Sequence, residues 1–372
     1  MNERRGLSRK GFLKGSGVAV GGLYGGSLLA ACGGDDEPAA TGGGGGANKA
    51  LDGISTITVV NWGGTTSDAM KEAWAKPFTK ATGIDVKLTS PIDYGKFKVQ
   101  IEGGNVDWNW IDSEGYFPFG NPDLLADVRP EDFGLTASDF VEFDNNVTPK
   151  GVASYLSSHV IAYRTDKDGP HPTDWVEFFD TKGIPGKRAL YNYPYAMLEI
   201  ALLGDGVAYD DLYPLDVDRA FDKIDSIRDD LIFFNTGAES QQFLVGDSAD
   251  FVTPWHNRAG YLALGGLPVG IEWNQQVLLC TYHVIPRGDE KAAADKEFIK
   301  TALEPENQLE FARLSGLAPS RVQAVEKVDE RLKPLMPTTA ENWDKAAGFT
   351  NDEWWGKNYV AVSEKWYEWV GA

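Results

Sequence analysis

The chain has 372 residues, 42% hydrophobic and 12% aromatic, with 35 Lys+Arg against 55 Asp+Glu and a formal net charge of −20. That length and apolar fraction suffice for one large or two ordinary domains. Beyond residue 31 the balance is 30 basic to 54 acidic groups, −24, which excludes the clustered positive surface that nucleic acid requires. Two cysteines in unlike contexts, Cys32 and Cys280, exclude a disulfide framework or a cysteine-rich metal site, and no run of ~18 apolar residues follows the N-terminal segment.

Residues 1–31 read as an export signal: Arg4, Arg5, Arg9, Lys10 and Lys14, then a glycine-rich, weakly apolar stretch ending Leu28-Leu29-Ala30-Ala31. Ser8-Arg9-Lys10-Gly11-Phe12-Leu13-Lys14 resembles the twin-arginine export pattern with Lys10 in place of the second arginine, so the route stays open between the two export systems. Leu29-Ala30-Ala31-Cys32 resembles a lipobox, which implies lipidation of Cys32 and a lipid-anchored protein at the periplasmic or cell surface. Residues 32–51, with the Gly42–Gly46 run, then read as a flexible tether.

Ile57-Thr58-Val59-Val60-Asn61-Trp62 reads as a buried strand broken by Gly63-Gly64. A helix follows, capped by Thr66 or Ser67, with Met70, Ala73, Trp74, Phe78 and Ala81 at helical spacing and Gly83 as its stop. Ile84–Leu88 alternates as the next strand, which predicts a parallel α/β unit whose ligands gather beyond the carboxyl ends of the strands. Trp62 stands at such an end, and the Trp108–Glu114 strand ends in Asp112, Ser113 and Glu114. A second α/β body is expected from about Ser158, with strands at His159–Tyr163 and Gly186–Tyr191 and helices at Ala196–Leu203 and Asp216–Ile227. Val277-Leu278-Leu279-Cys280 reads as an apolar strand holding an inert thiol. The late tryptophans Trp354, Trp355, Trp366 and Trp369 read as core anchors, with a permease-contact patch as the alternative.

The order Val59-Val60-Asn61-Trp62, Pro77–Ile84, Asp107-Trp108, His171–Trp175, Pro185–Arg188, Trp255–Ala259 and Val269–Trp273 resembles extracellular solute-binding proteins of ABC importers, and within them the spermidine/putrescine receptors. The resemblance implies an α/β, two-lobed periplasmic-binding-protein fold (type II-like) with hinge strands and an interlobe cleft. Lobe one would be 52–157 plus 275–322, and lobe two 158–274 plus 323–372. It further implies a high-affinity receptor, a monomer, that hands a small solute to a membrane permease. No cofactor, metal or nucleic acid is implied.

The polyamine branch holds a linear polycation with aromatic walls and carboxylates. Trp62, Trp255 and Trp273 fall where such walls stand. Where that branch carries acids, this chain reads Tyr191-Asn192-Tyr193-Pro194-Tyr195, and Gln275 two residues after Trp273. Asp112 and Glu114 remain available to one amine, and Arg258 offers paired donors to a carboxylate. The expected ligand is therefore a small polar amine- or carboxylate-bearing metabolite, with a carboxylate favoured and an amine optional, polyamine-like, opine-like or amino-acid-like, stacked on tryptophan and hydrogen-bonded by Asn192, Tyr193, Tyr195 and Gln275. The alternatives are a true polyamine receptor and, from another class, a lipid-tethered hydrolase. The sequence has no G-x-S-x-G elbow, Walker loop or H-E-x-x-H helix, and is expected not to be an enzyme.

Overall fold

β-branched residues at Thr56–Val60 form β1, and β2 (Asp85–Thr89) pairs with it in parallel from Thr56 opposite Asp85 to Val60 opposite Thr89. These positions come from a computed structural model that describes residues 49–141, 147–148 and 150–371; the export signal, Cys32 and the glycine-rich tether lie outside the described residues. β3 (Trp110–Glu114) flanks β1 on its other side, with Val60 opposite Ile111. The short β4 (Val147–Thr148) precedes β5 (Gly151–Arg164), followed by β6 (Arg188–Tyr191), β7 (Leu231–Phe234), β8 (Phe251–Val252), β9 (Val269–Val284), β10 (Ala318–Pro319) and β11 (Gly348–Phe349).

The main path through the sheet runs β2-β1-β3-β9-β5-β8-β6-β7. β5 and β9 lie antiparallel along nearly their full lengths, and each serves two neighbourhoods. The late part of β9 pairs with β3, Glu114 lying opposite Thr281, whereas the end of β5 pairs with β8, Tyr163 lying opposite Phe251. Two long strands thus pass from one α/β lobe into the other. Their register slips between Ala153 and Tyr155 and again between His159 and Ile161, irregularities that bend a strand pair. The sequence placed the start of the second body near Ser158. The strand there in fact begins at Gly151 and runs on to Arg164, because Ser154, Ser157, Ser158 and His159 are buried within it and do not end its pairing with β9.

Local signals held in most places. Gly83 ends the first long helical stretch in a left-handed conformation (φ 76°), and Asp216 caps Val217–Asp225 by accepting from the Arg219 N–H. Helix entry after β1 differs. The helix Gly64–Met70 starts at Gly63 with no side-chain cap, so neither Thr66 nor Ser67 plays the capping role read from the sequence. Gly63 needs its φ of 79°, and a Cβ there would sit 2.9 Å from Ser90 Oγ. A π-helical turn at Lys71–Ala75 then buries Trp74, whose ring stacks on Phe311 at 4.3 Å and lies 5.4 Å from that of His283.

The C-terminal helix Asp352–Gly371 packs on the short helix Tyr116–Gly120, beside β3, and on Pro194–Gly204, beyond β6. It therefore touches both lobes. Gly120 and Gly356 meet backbone to backbone, leaving no room for a side chain on either. Trp355 and Trp366 are fully buried, as core anchors should be, and Cys280 is a buried free thiol in β9.

Candidate ligand-binding cleft

β1 and β3 leave the lobe-one sheet side by side, which sets Trp62 and Glu114 at one edge. Trp62 is 39% exposed. Glu114 is turned towards the other lobe, where Oε2 accepts the Tyr193 hydroxyl at 2.9 Å. Tyr193 immediately precedes Pro194–Gly204 beyond β6, so this bond spans the lobes. The same hydroxyl lies 3.0 Å from Tyr116 Oη and 2.8 Å from Tyr359 Oη on the C-terminal helix. Tyr94 closes the group, accepting the Glu114 backbone N–H at 2.9 Å. Burial pushes the Glu114 carboxyl up to about 7, against the opposing hydrogen bonds of Tyr193 and Tyr116, and no cation pairs with it among the described residues.

An aromatic wall leads away from that acid. The Tyr193 ring lies 5.5 Å from Tyr191, which meets Trp255 edge-on at 4.7 Å, and Trp255 lies 5.2 Å from His159. Trp255 immediately precedes the helix His256–Leu264, whose first turn carries Arg258. Arg258 Nη1 donates to Thr65 Oγ1 at 3.1 Å, a second bond between the lobes, and the guanidinium lies so close to Gly237 that a Cβ there would strike it. Burial lowers the Arg258 pKa, with only Tyr261 and Tyr155 opposing it; no carboxylate faces it among the described residues. One seam thus holds an acid without a base and a base without an acid, separated by rings.

His256 lies beneath this seam as a structural group. Its Nδ1 accepts from the Ser158 N–H at 3.1 Å, so Nε2 carries the proton and donates to the Gly316 carbonyl at 3.0 Å. Burial pulls its pKa down to about 3 and that of His159 to about 4. Among the described residues no group of three His, Cys, Asp or Glu could hold a metal. An open recess of about 250 Å³ beside Glu306, Arg313, Lys327 and Leu332 shares no hydrogen bond with the seam.

The structure brings together Trp62, Glu114, Tyr193, Trp255 and Arg258 along this seam. The other residues singled out in the sequence are engaged elsewhere. Asp112 is fully buried and accepts the Tyr155 hydroxyl at 2.6 Å; it is on the same face of β3 as Glu114 but one step deeper, and burial raises its carboxyl to about 8. Asn192 accepts from Trp366 Nε1 at 3.0 Å and donates to Asn235. Tyr195 donates to Asp352 at 2.5 Å inside the interface with the C-terminal helix. Trp273 is 6% exposed, 6.0 Å from the His256 ring. Gln275 sits at a left-handed φ of 60°, where its carbonyl accepts from Trp175 Nε1 at 2.7 Å and its N–H meets the Lys345 carbonyl. Sequence reasoning did not single out Tyr94, Tyr116, Tyr359 or Thr65. Only Thr65 carried a signal, standing three residues beyond Trp62 at a strand end.

Comparison with known proteins agrees with this architecture. The γ-aminobutyric acid-binding protein of Pseudomonas aeruginosa is 26% identical over 329 residues, covering 85% of this chain and 91% of that protein. The solved Atu4243–GABA receptor superposes with a TM-score of 0.79 at 33% identity, covering 85% of this chain and 97% of its own. An ABC transporter substrate-binding protein from Bradyrhizobium japonicum gives 0.76 at 30%, covering 85% and 99%. The spermidine/putrescine-binding protein of Streptococcus pneumoniae shares the fold at 15% identity and a TM-score of 0.66. Residues 73–342 match the family described as bacterial extracellular solute-binding proteins, and with that span the chain belongs to this family of exported solute receptors.

Proposed function

We propose that the protein is the receptor of an ABC uptake transporter and captures a small zwitterion with an amine at one end and a carboxylate at the other, of the ω-amino-acid class that includes γ-aminobutyrate. The ammonium would sit at Glu114 among the tyrosines, the carboxylate at Arg258 and Thr65, and the methylene chain along Tyr191 and Trp255, with Trp62 at the mouth. The observation that carries this reading is the pair of uncompensated charges on one seam, since burying an unpaired ion is costly unless a ligand completes it. The names of the relatives point to the same chemistry.

The proposed receptor reading extends to the rest of the chain. Lobe one would comprise 52–157 plus 275–322 and lobe two 158–274 plus 323–372, opening about β5 and β9, with solute contacts on both lobes biasing the hinge towards closure. Cys32 would carry the lipid anchor. The solute would pass to a permease unaltered, and no step of catalysis is required.

Calorimetric titration of the folded body with γ-aminobutyrate, butyrate and putrescine tests the assignment. The zwitterion is expected to bind at least about tenfold tighter than either single-ended compound, because each loses one charge-assisted contact. Putrescine binding alone, unaffected by Arg258→Ala, would overturn it in favour of a polyamine receptor.

A further inference from the structure

The helix Gly237–Val245 follows Thr236, which caps it by accepting the Glu239 N–H at 3.2 Å. Its first residue is a glycine whose backbone is not left-handed, so no torsion demands glycine there, and alanine is the better helix former. What bars a side chain is Arg258. A Cβ on Gly237 would collide with Nε and lie 2.9 Å from Cζ and 3.1 Å from Cδ. The Cδ–Nε–Cζ stretch therefore rests on the glycine, and the terminal nitrogens project past it, Nη1 donating to Thr65 Oγ1 at 3.1 Å. One helical turn on, Gln241 Nε2 donates to the Arg258 carbonyl at 3.1 Å. Positions four apart share a helix face, so one face of this helix holds the arginine by side chain and backbone together.

We propose that Gly237 is a positioning residue for solute recognition: by leaving room for the Arg258 side chain on the first turn of its helix, it seats the guanidinium at Thr65, where a solute carboxylate meets it. The use of this seat rests on Arg258 being the carboxylate-binding group; the seating itself needs no solute.

The seat is built without the arginine. The Asn235 N–H donates to Glu239 Oε2 at 2.7 Å, and Asn235 Oδ1 accepts from Asn192 Nδ2 at 2.9 Å. Asn192 is in turn held by Trp366 Nε1 at 3.0 Å, and Ser240 Oγ donates to the Gly237 carbonyl at 2.8 Å. Against this framework the guanidinium has one hydrogen bond among the described residues, that to Thr65. A side chain at position 237 would thus displace the flexible end of the arginine and leave the helix in place. Glycine here serves space alone, which separates its role in binding from any role in folding.

The test pairs calorimetric titration with a nitrogen NMR spectrum of the arginine side chains in the unliganded protein, Arg258→Lys identifying the Nε–H signal. In Gly237→Ala that signal should shift and the melting temperature should hold. Affinity for γ-aminobutyrate should fall about tenfold or more, as the paired donors leave their place. Val245→Ala, exposed at the far end of the same helix, should change neither signal nor affinity. In an Arg258→Ala background Gly237→Ala should cost no further affinity, because no side chain remains for the Cβ to displace. Should Gly237→Ala fold poorly, adding Arg258→Ala removes the collision and should restore the melting temperature of Arg258→Ala alone. An Nε–H signal that stays in place, an affinity that survives its displacement, or a loss that persists without Arg258 overturns the proposal. Failure of the wild type to bind γ-aminobutyrate would instead overturn the solute assignment, and the shift of the signal would then decide whether Gly237 seats the arginine.

Discussion

At the scale of single residues, the cleft is defined by what Arg258 and Glu114 lack. Arg258→Ala should weaken binding of a carboxylate-bearing solute by about 10- to 100-fold in calorimetry. It should not lower the melting temperature, because no buried acid is left unpaired by the change. Arg258→Lys should recover only part of the affinity, since an ammonium cannot offer two parallel donors. Glu114 sets the pH response. Burial raises its carboxyl to about 7, and only its ionised form attracts an ammonium, so affinity for an amine-bearing solute should be steady above that pH. Below it, affinity should fall by about tenfold per unit, and Glu114→Gln should abolish the dependence. An affinity independent of pH between 5 and 8 would remove Glu114 from the site. Sequence spacing had offered Asp112 and Glu114 as equals. Side-chain alternation along β3 puts both on one face, but it does not encode depth, and the one nearer the middle of the strand is taken by Tyr155.

At the scale of elements, the C-terminal helix is the part least visible beforehand. Its tryptophans announce a buried face, and Trp355 and Trp366 occupy one. Nothing in its sequence says that Tyr359 reaches the hydroxyl of Tyr193 beside Glu114, because Tyr193 and Tyr359 come from segments far from β3 in the chain that meet it only once both lobes are folded. β1, β2 and β6, by contrast, were legible within a few residues, as was the stop at Gly83, because each is fixed by local pattern or backbone need. The helix is fitted to lobe one at the Gly120–Gly356 contact, where the backbones touch. Gly356→Ala should therefore cost about 1–3 kcal/mol in denaturant unfolding, the range for overpacking a close contact. Full retention of stability would mean that the helix is free to shift on its bed.

For the whole molecule, buried ionisable groups predict a stability profile. Asp112 is raised to about 8, and Glu114, Glu199 and Asp352 to about 7, all chiefly by burial. A carboxyl raised on folding contributes fully below its unfolded value, and that contribution is lost as pH climbs through its folded value. His256 and His283 are lowered to about 3 and His159 to about 4, so their contribution is present above the unfolded value and lost as pH falls below about 6.5. Between about pH 5 and 6.5 the two trends oppose each other. Above that range the acids act alone, and self-repulsion of a chain at −20 acts in the same direction. Calorimetric melting should show a plateau at pH 5–6.5 and a clear decline towards pH 8.5; a maximum at pH 8 would mean that these carboxyls are not buried as described. The two-lobed architecture itself was legible from motif order and length. The passage of β5 and β9 through both lobes was not, since the side-chain pattern of a strand looks the same whether it serves one neighbourhood or two.

Trp62 gives the molecule an optical handle. Of the twelve tryptophans it is the most exposed, at 39%, and it stands just beyond the end of β1, while Trp74, Trp110, Trp175, Trp355 and Trp366 are sealed in the lobes. Collisional quenching by acrylamide would therefore act chiefly on this indole. Its protection on adding a solute would time the closing of the lobes without any label, and Trp62→Phe would supply the blank.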